Sequence, residues 1–81
     1  MIATEVLHRR FLECSGTSTD TRSIERGSLF FALKGPTFDA NTFAATALTK
    51  GARYAVVDDP AVAEDERFLI VPDALQALQD L

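Results

Sequence analysis

Cysteine is almost missing from this chain, with Cys14 alone among 81 residues. A single thiol excludes an intrachain disulfide and any zinc site built from several thiolates, and it fits a reducing cytoplasm better than an oxidising compartment. Positive charge is also scarce. Eight Lys and Arg stand against twelve Asp and Glu, for a net charge of −4, and the cations never gather in one stretch. The summed field of such a chain repels polyanions, so nucleic acid is not an expected partner. A small phosphorylated ligand stays compatible, because one or two placed cations and backbone N–H groups suffice to hold a diphosphate. Long apolar runs are missing as well. No stretch approaches the roughly 18 residues of a membrane helix, and the N-terminus has no basic-then-apolar signal pattern, so neither export nor membrane embedding is expected.

What remains is ordinary globular material, 47% hydrophobic and 25% charged, enough for one small domain over residues 1–81 with a modest core and no covalent staple. From Thr4 to Cys14 the apolar residues Leu7, Phe11 and Cys14 recur at helical spacing, with Val6 and Leu12 beside them, which predicts a first helix. The Ser/Thr-rich stretch Ser15–Arg22 around Gly16 reads as a turn into a short β-segment, and Arg26-Gly27 as a second turn. The run Leu29-Phe30-Phe31-Ala32-Leu33 predicts a strand buried on both faces. Beyond the Gly35-Pro36 break, Asp39 and Asn41 offer N-caps to a second helix. Phe43, Ala44, Ala47 and Leu48 would form its inner face, and Gly51 would stop it. Tyr54–Val57 follows as a strand, so strand, helix and strand form a unit with parallel strands and a right-handed crossover. Phe68–Val71 adds a further strand. Pro72-Asp73 then opens a last helix with Ala74, Leu75 and Leu78 turned inward. The pattern is that of an α/β sandwich. Its final helix reaches Leu81 without a capping residue or polar tail, an ending expected of a piece of a longer protein.

Three segments carry a more specific signal: Ser18-Thr19-Asp20-Thr21-Arg22, then Arg26-Gly27-Ser28-Leu29-Phe30-Phe31-Ala32-Leu33-Lys34-Gly35, then Phe38-Asp39-Ala40-Asn41-Thr42-Phe43, followed by Lys50-Gly51-Ala52. In order and spacing this resembles the start of the Mur ligases, the ATP-dependent ligases of peptidoglycan synthesis. Within them it is similar to the branch that adds D-alanyl-D-alanine to UDP-N-acetylmuramoyl-tripeptide, whose pattern runs S-T-D-[ST]-R, G-x-L-F-x-A-L-K-G, F-D-G-H-x-F and K-G-A. The match spans Ser18 to Val57, about half the chain. Ala40 stands where that pattern has Gly, and Asn41 where it has His, which keeps a hydrogen-bonding group and loses a titratable one. The sister branch, which adds lysine or diaminopimelate to the UDP-muramoyl-dipeptide, has a shorter pattern. Thr19 before Asp20, the Ala32–Gly35 run and Phe38 before Asp39 favour the first branch over it.

The resemblance implies a three-layer α/β domain with a mixed, mostly parallel sheet, whose task is to hold the UDP end of a UDP-N-acetylmuramoyl-peptide. It also implies that ATP, Mg2+ and the chemistry belong to central and C-terminal domains of the same protein. There the substrate carboxylate is phosphorylated and the acyl phosphate is attacked by the incoming amine, so these residues alone are expected to be catalytically silent and to need no cofactor. The residues so implicated in binding UDP are Thr19, Asp20, Thr21, Arg22, Lys34, Gly35 and Asn41. Arg22 and Lys34 are the cations for the diphosphate, expected to flank one pocket at neighbouring strand ends. The hydroxyls and backbone near Thr21 suit a uracil edge, and Gly35 allows close backbone approach.

Plainer readings stand beside these. Asp20 and Arg22 also suit a turn with a local ion pair, Lys34 a solvated lysine, Asp39 and Asn41 helix caps, and Phe38 and Phe43 packing beneath a helix. His8 reads as a solvated helix residue and Cys14 as a small buried hydrophobe. The Thr17–Ser23 hydroxyls lack the G-x-x-x-x-G-K-[ST] arrangement of a nucleotide phosphate loop, and Glu64-Asp65-Glu66 is a solvated acidic loop. A third possibility is a stand-alone α/β binding module with no ligase role.

Overall fold

The computed structural model describes residues 2–34 and 39–80; Gly35, Pro36 and Phe38, each with an expectation above, lie outside the described residues. The elements are α1 (Thr4–Leu12), β1 (Thr17–Ser18), β2 (Leu29–Phe31), α2 (Ala44–Thr49), β3 (Tyr54–Val57), β4 (Phe68–Ile70) and α3 (Ala74–Gln79), with short 3-10 helices at Thr21–Ser23, Ala40–Phe43 and Pro60–Val62. The four strands form one sheet in the order β1-β2-β3-β4. All neighbours are parallel, with Phe30 beside Ser18 and Ala55, and Val56 beside Leu69. Among the described residues, the antiparallel character expected of a mixed sheet is confined to one bridge between Lys34 and Asp39.

Because side chains alternate across a strand, the apolar runs feed two cores. Phe30, Ala32, Ala55, Val57 and Phe68 pack against Ala44, Ala47 and Leu48 of α2. On the other face Leu29, Phe31, Val56 and Leu69 pack against Leu7 of α1 and Ala74 and Ala77 of α3. These are the three layers. β2, β3 and β4 are therefore covered on both sides, as parallel sheets require, while Thr17 of the edge strand β1 is exposed. No helix among the described residues is long and apolar enough to cross a membrane.

Several expected faces need correction. Leu75 is half exposed while Ala77 is buried, because 3.6 residues per turn put positions 74, 77 and 78 on one stripe and rotate 75 off it. Leu12 ends α1 pointing into solvent. The second helix begins as a 3-10 turn, so its α-helical part starts at Ala44, later than the caps suggested.

The β1–β2 connection has no α-helix of its own and is instead fastened to the end of α2. Gly27 N–H donates to the Gly51 carbonyl at 2.7 Å, and Lys50 Nζ donates to the Thr21 carbonyl at 2.8 Å. Gly51 has φ 117°. It closes α2 with the paired bonds of a Schellman stop, from Gly51 N–H to Leu48 O and from Ala52 N–H to Ala47 O. A Cβ at Gly51 would meet Arg26 only at an ordinary 3.5 Å, so backbone strain, not collision, sets the cost of Gly51→Ala. We expect that substitution to lower stability by about 2 kcal/mol, read as a fall in the urea midpoint.

Candidate functional site

The hollow that matters opens past the C-terminal end of β1. Ser18 Oγ donates to the Asp20 carbonyl at 3.1 Å, bending the chain as the strand ends. Asp20 then caps the Thr21–Ser23 turn, accepting from the Arg22 N–H at 2.8 Å. The same carboxylate takes the Arg22 guanidinium side-on, through Nε at 3.1 Å and Nη2 at 2.8 Å. The side-chain and backbone hydrogen bonds from Arg22 hold the Asp20 carboxyl at about 2, well below its ordinary value. Asp20 thus stays ionised at neutral pH and fixes Arg22, whose side chain is 87% exposed. The plain reading of this pair, a turn and an ion pair, is what the geometry contains. It also leaves the Nη1 edge of the guanidinium available to an anion.

Thr19, Asp20, Thr21 and Arg22 form the polar lip of a depression of about 520 Å³, and Phe30, Ala40 and Phe43 form its apolar side. That volume is in the range of small-ligand sites. Phe43 is turned into the depression and is 49% exposed, which corrects the expectation that it packs beneath α2.

Lys34 sits elsewhere on the rim. Its Nζ is 3.5 Å from Asp58 Oδ1, and it lines a separate hollow of about 300 Å³ with Asp58, Pro72, Asp73 and Leu75. The expectation of one pocket flanked by both cations therefore fails: Arg22 follows β1 and Lys34 follows β2, but among the described residues each lines its own hollow. Gly35, also expected at the site, lies outside the described residues.

Asn41 is neither an exposed cap nor part of the lip. It is 1% exposed. Its Nδ2 donates to Asp39 Oδ1 at 2.7 Å and to Asp58 Oδ1 at 2.8 Å, and its Oδ1 accepts from the Asp58 N–H at 3.1 Å. Asp58 Oδ2 in turn accepts from the Ala74 N–H at 3.1 Å, which ties the start of α3 to the end of β3. Burial pushes the Asp58 carboxyl up, but the bonds from Asn41 and Ala74 and the Lys34 ammonium outweigh it and hold the group below its ordinary value. Sequence reasoning passed over Asp58, and it read Lys50 only as part of a motif and Phe43 only as a packing residue. The available signals were a carboxylate directly after a buried run, and a lysine at the helix stop.

A parallel α/β sheet with a part-apolar, part-polar hollow beyond a strand end has the architecture of the open-sheet class, in which ligand sites lie outside the carboxyl ends of the strands. The chain belongs to the Mur ligase family: the family model described as "Mur ligase family, catalytic domain" matches residues 13–81. Among curated proteins it is 43% identical over 65 residues to the UDP-N-acetylmuramoyl-tripeptide–D-alanyl-D-alanine ligase of Synechocystis sp., covering 78% of this chain and 14% of that one. It is 38% identical over 68 residues to the Bacillus subtilis enzyme of the same name, covering 82% and 15%. It is also 38% identical over 68 residues to the UDP-N-acetylmuramoyl-L-alanyl-D-glutamate–2,6-diaminopimelate ligase of Geobacter metallireducens, covering 83% and 13%. The chain therefore spans about a seventh of the length of the first two relatives. Among solved structures it is similar to MurF from Acinetobacter baumannii, with TM-score 0.71 and 29% identity over 98% of this chain and 20% of that one. The Thermotoga maritima MurF ligase, at TM-score 0.73 and 24% identity over 84% of this chain and 16% of that one, shares the fold.

Proposed function

We propose that this chain is the domain that grips the UDP end of UDP-N-acetylmuramoyl-tripeptide in an ATP-dependent ligase joining D-alanyl-D-alanine to it. The hollow at the end of β1 carries this reading, because its division matches that of the ligand. Phe30, Ala40 and Phe43 offer apolar surface, and Thr19–Arg22 offers hydroxyls and a cation. A nucleoside diphosphate likewise joins a flat base to an anionic tail. Arg22 is the group for the diphosphate, and Thr19 and Thr21 are the hydroxyls for polar edges. Lys34 stands at the next hollow, for ligand that extends along the rim, while Asn41 holds the rim together from beneath.

In this reading the domain contributes binding energy at a distance, converting its hold on a non-reacting handle into orientation of the reacting carboxylate. ATP and Mg2+ are assigned to central and C-terminal domains of the same protein. No nucleotide phosphate loop occurs in the sequence.

The second reading, a diaminopimelate- or lysine-adding ligase, is favoured by the identity to the Geobacter enzyme, equal to that with the Bacillus one. Calorimetric titration with UDP and UDP-N-acetylmuramic acid tests the shared part. Saturable binding is expected, weakened about tenfold by Arg22→Ala and weakened further by salt. Failure of both compounds to bind overturns the reading. ATP-dependent phosphate release by the full-length protein, with tripeptide substrate and D-alanyl-D-alanine against dipeptide substrate and diaminopimelate or lysine, separates the two branches.

A further inference from the structure

We infer that Phe43 is the platform on which the nucleobase stacks, so that the ligand enters base-first against Phe43 with its phosphates toward Arg22. This rests on reading the hollow as a UDP site. Single exposed apolar side chains are common, so place rather than exposure decides among the three large ones on the described chain, Leu12, Phe43 and Leu75. Of these, Phe43 alone lines the hollow bordered by Thr19–Arg22.

Its mounting is rigid. Phe43 ends the 3-10 helix Ala40–Phe43, whose Asn41 is buried and doubly bonded to Asp39 and Asp58. The next residue, Ala44, is fully buried, and its N–H donates to the Asn41 carbonyl. The backbone on both sides of the ring is therefore fixed by packing, while about half of the residue is left uncovered. A phenyl ring has only two side-chain torsions to restrict, so a base covers it at small entropic cost. Phe30 cannot take this role, because it is 1% exposed and committed to the core as the floor. The cation lies on the other part of the same rim, at Arg22. Apolar face and cation in one hollow favour a base joined to a phosphate over either alone.

The test uses Phe43→Ala, Phe43→Tyr and Phe43→Trp, titrated with UDP and separately with inorganic pyrophosphate. Phe43→Ala is expected to weaken UDP at least about fivefold, the lower end of base–aromatic stacking, and to leave pyrophosphate unchanged; Phe43→Tyr restores UDP binding. The chain has no tryptophan, so Phe43→Trp is a single reporter whose fluorescence should respond to UDP and not to pyrophosphate. UDP affinity unchanged in Phe43→Ala overturns stacking alone and leaves the UDP site standing. An equal loss of UDP and pyrophosphate overturns it in favour of a general change in pocket shape. If the parent protein binds neither compound, the UDP reading and this inference fall together.

Discussion

Replacing Asn41 with leucine is expected to remove about 3 kcal/mol of stability at pH 7, seen as a lower urea midpoint with unchanged slope. The two side chains are close in size, so the cost is not a cavity. It comes mainly from Asp58, whose side chain is 11% exposed and would keep its charge while losing a 2.8 Å donor; its own N–H would lose its acceptor, and Asp39 Oδ1 a 2.7 Å donor, as well. Leaving a buried charged group short of a partner costs more than a neutral hydrogen bond is worth. In a chain of this length total stability is roughly 4–12 kcal/mol, so the variant should be partly unfolded on mild warming. The loss should also depend on pH. In the parent the Asp58 carboxyl lies below its ordinary value. It therefore contributes stability that is present above the unfolded-state value and is lost as pH falls through the folded one. Without Asn41 the burial that raises this carboxyl is less opposed, so it protonates earlier and the charge penalty disappears. The gap between variant and parent should accordingly narrow toward pH 4, and a gap constant with pH would refute the assignment to Asp58.

That network also marks where sequence reasoning reached its limit. The run Leu29–Leu33 announces a buried strand, Gly51 a helix stop and Asp73 a cap, because each signal is local: continuous apolarity, a left-handed φ, an oxygen two residues before a free N–H. Asn41 carries the same local signal as a cap, and nothing nearby in the chain reveals that its partner is Asp58, seventeen positions on. Lys34 and Arg22 are alike in sequence as cations following strands. Their assignment to different hollows depends on what lies beside each strand end, the lip Thr19–Arg22 for one and Asp58 with the start of α3 for the other. The apolar positions in the short α3 leave the buried stripe ambiguous by one residue, and the stripe that meets the sheet takes Ala77 rather than Leu75. β1, with two residues, is too short to show any period.

The hollow is walled by two phenylalanines that should respond oppositely, and this gives the other large effect. Phe30→Ala is expected to cost about 4 kcal/mol. Its ring is buried between Ala32, Ala55, Phe68 and α2, and it borders the depression from beneath. Truncation would open the core toward that depression, and the alanines at 40, 44, 47 and 55 in the same cluster have no side chain long enough to fill the gap. Phe43→Ala removes a ring that is half in water and should lower stability by no more than about 0.5 kcal/mol, as surface substitutions do, read from a small shift of the urea midpoint. Measured together by denaturation and UDP titration, the pair separates two reasons for an aromatic at one pocket. Phe30 holds the floor in place and acts on the ligand only through the fold, whereas Phe43 leaves the fold alone and acts on the ligand directly. Equal destabilisation by both substitutions would mean that Phe43 is a core residue despite its exposure, and would remove the basis for treating the hollow as a preformed binding surface.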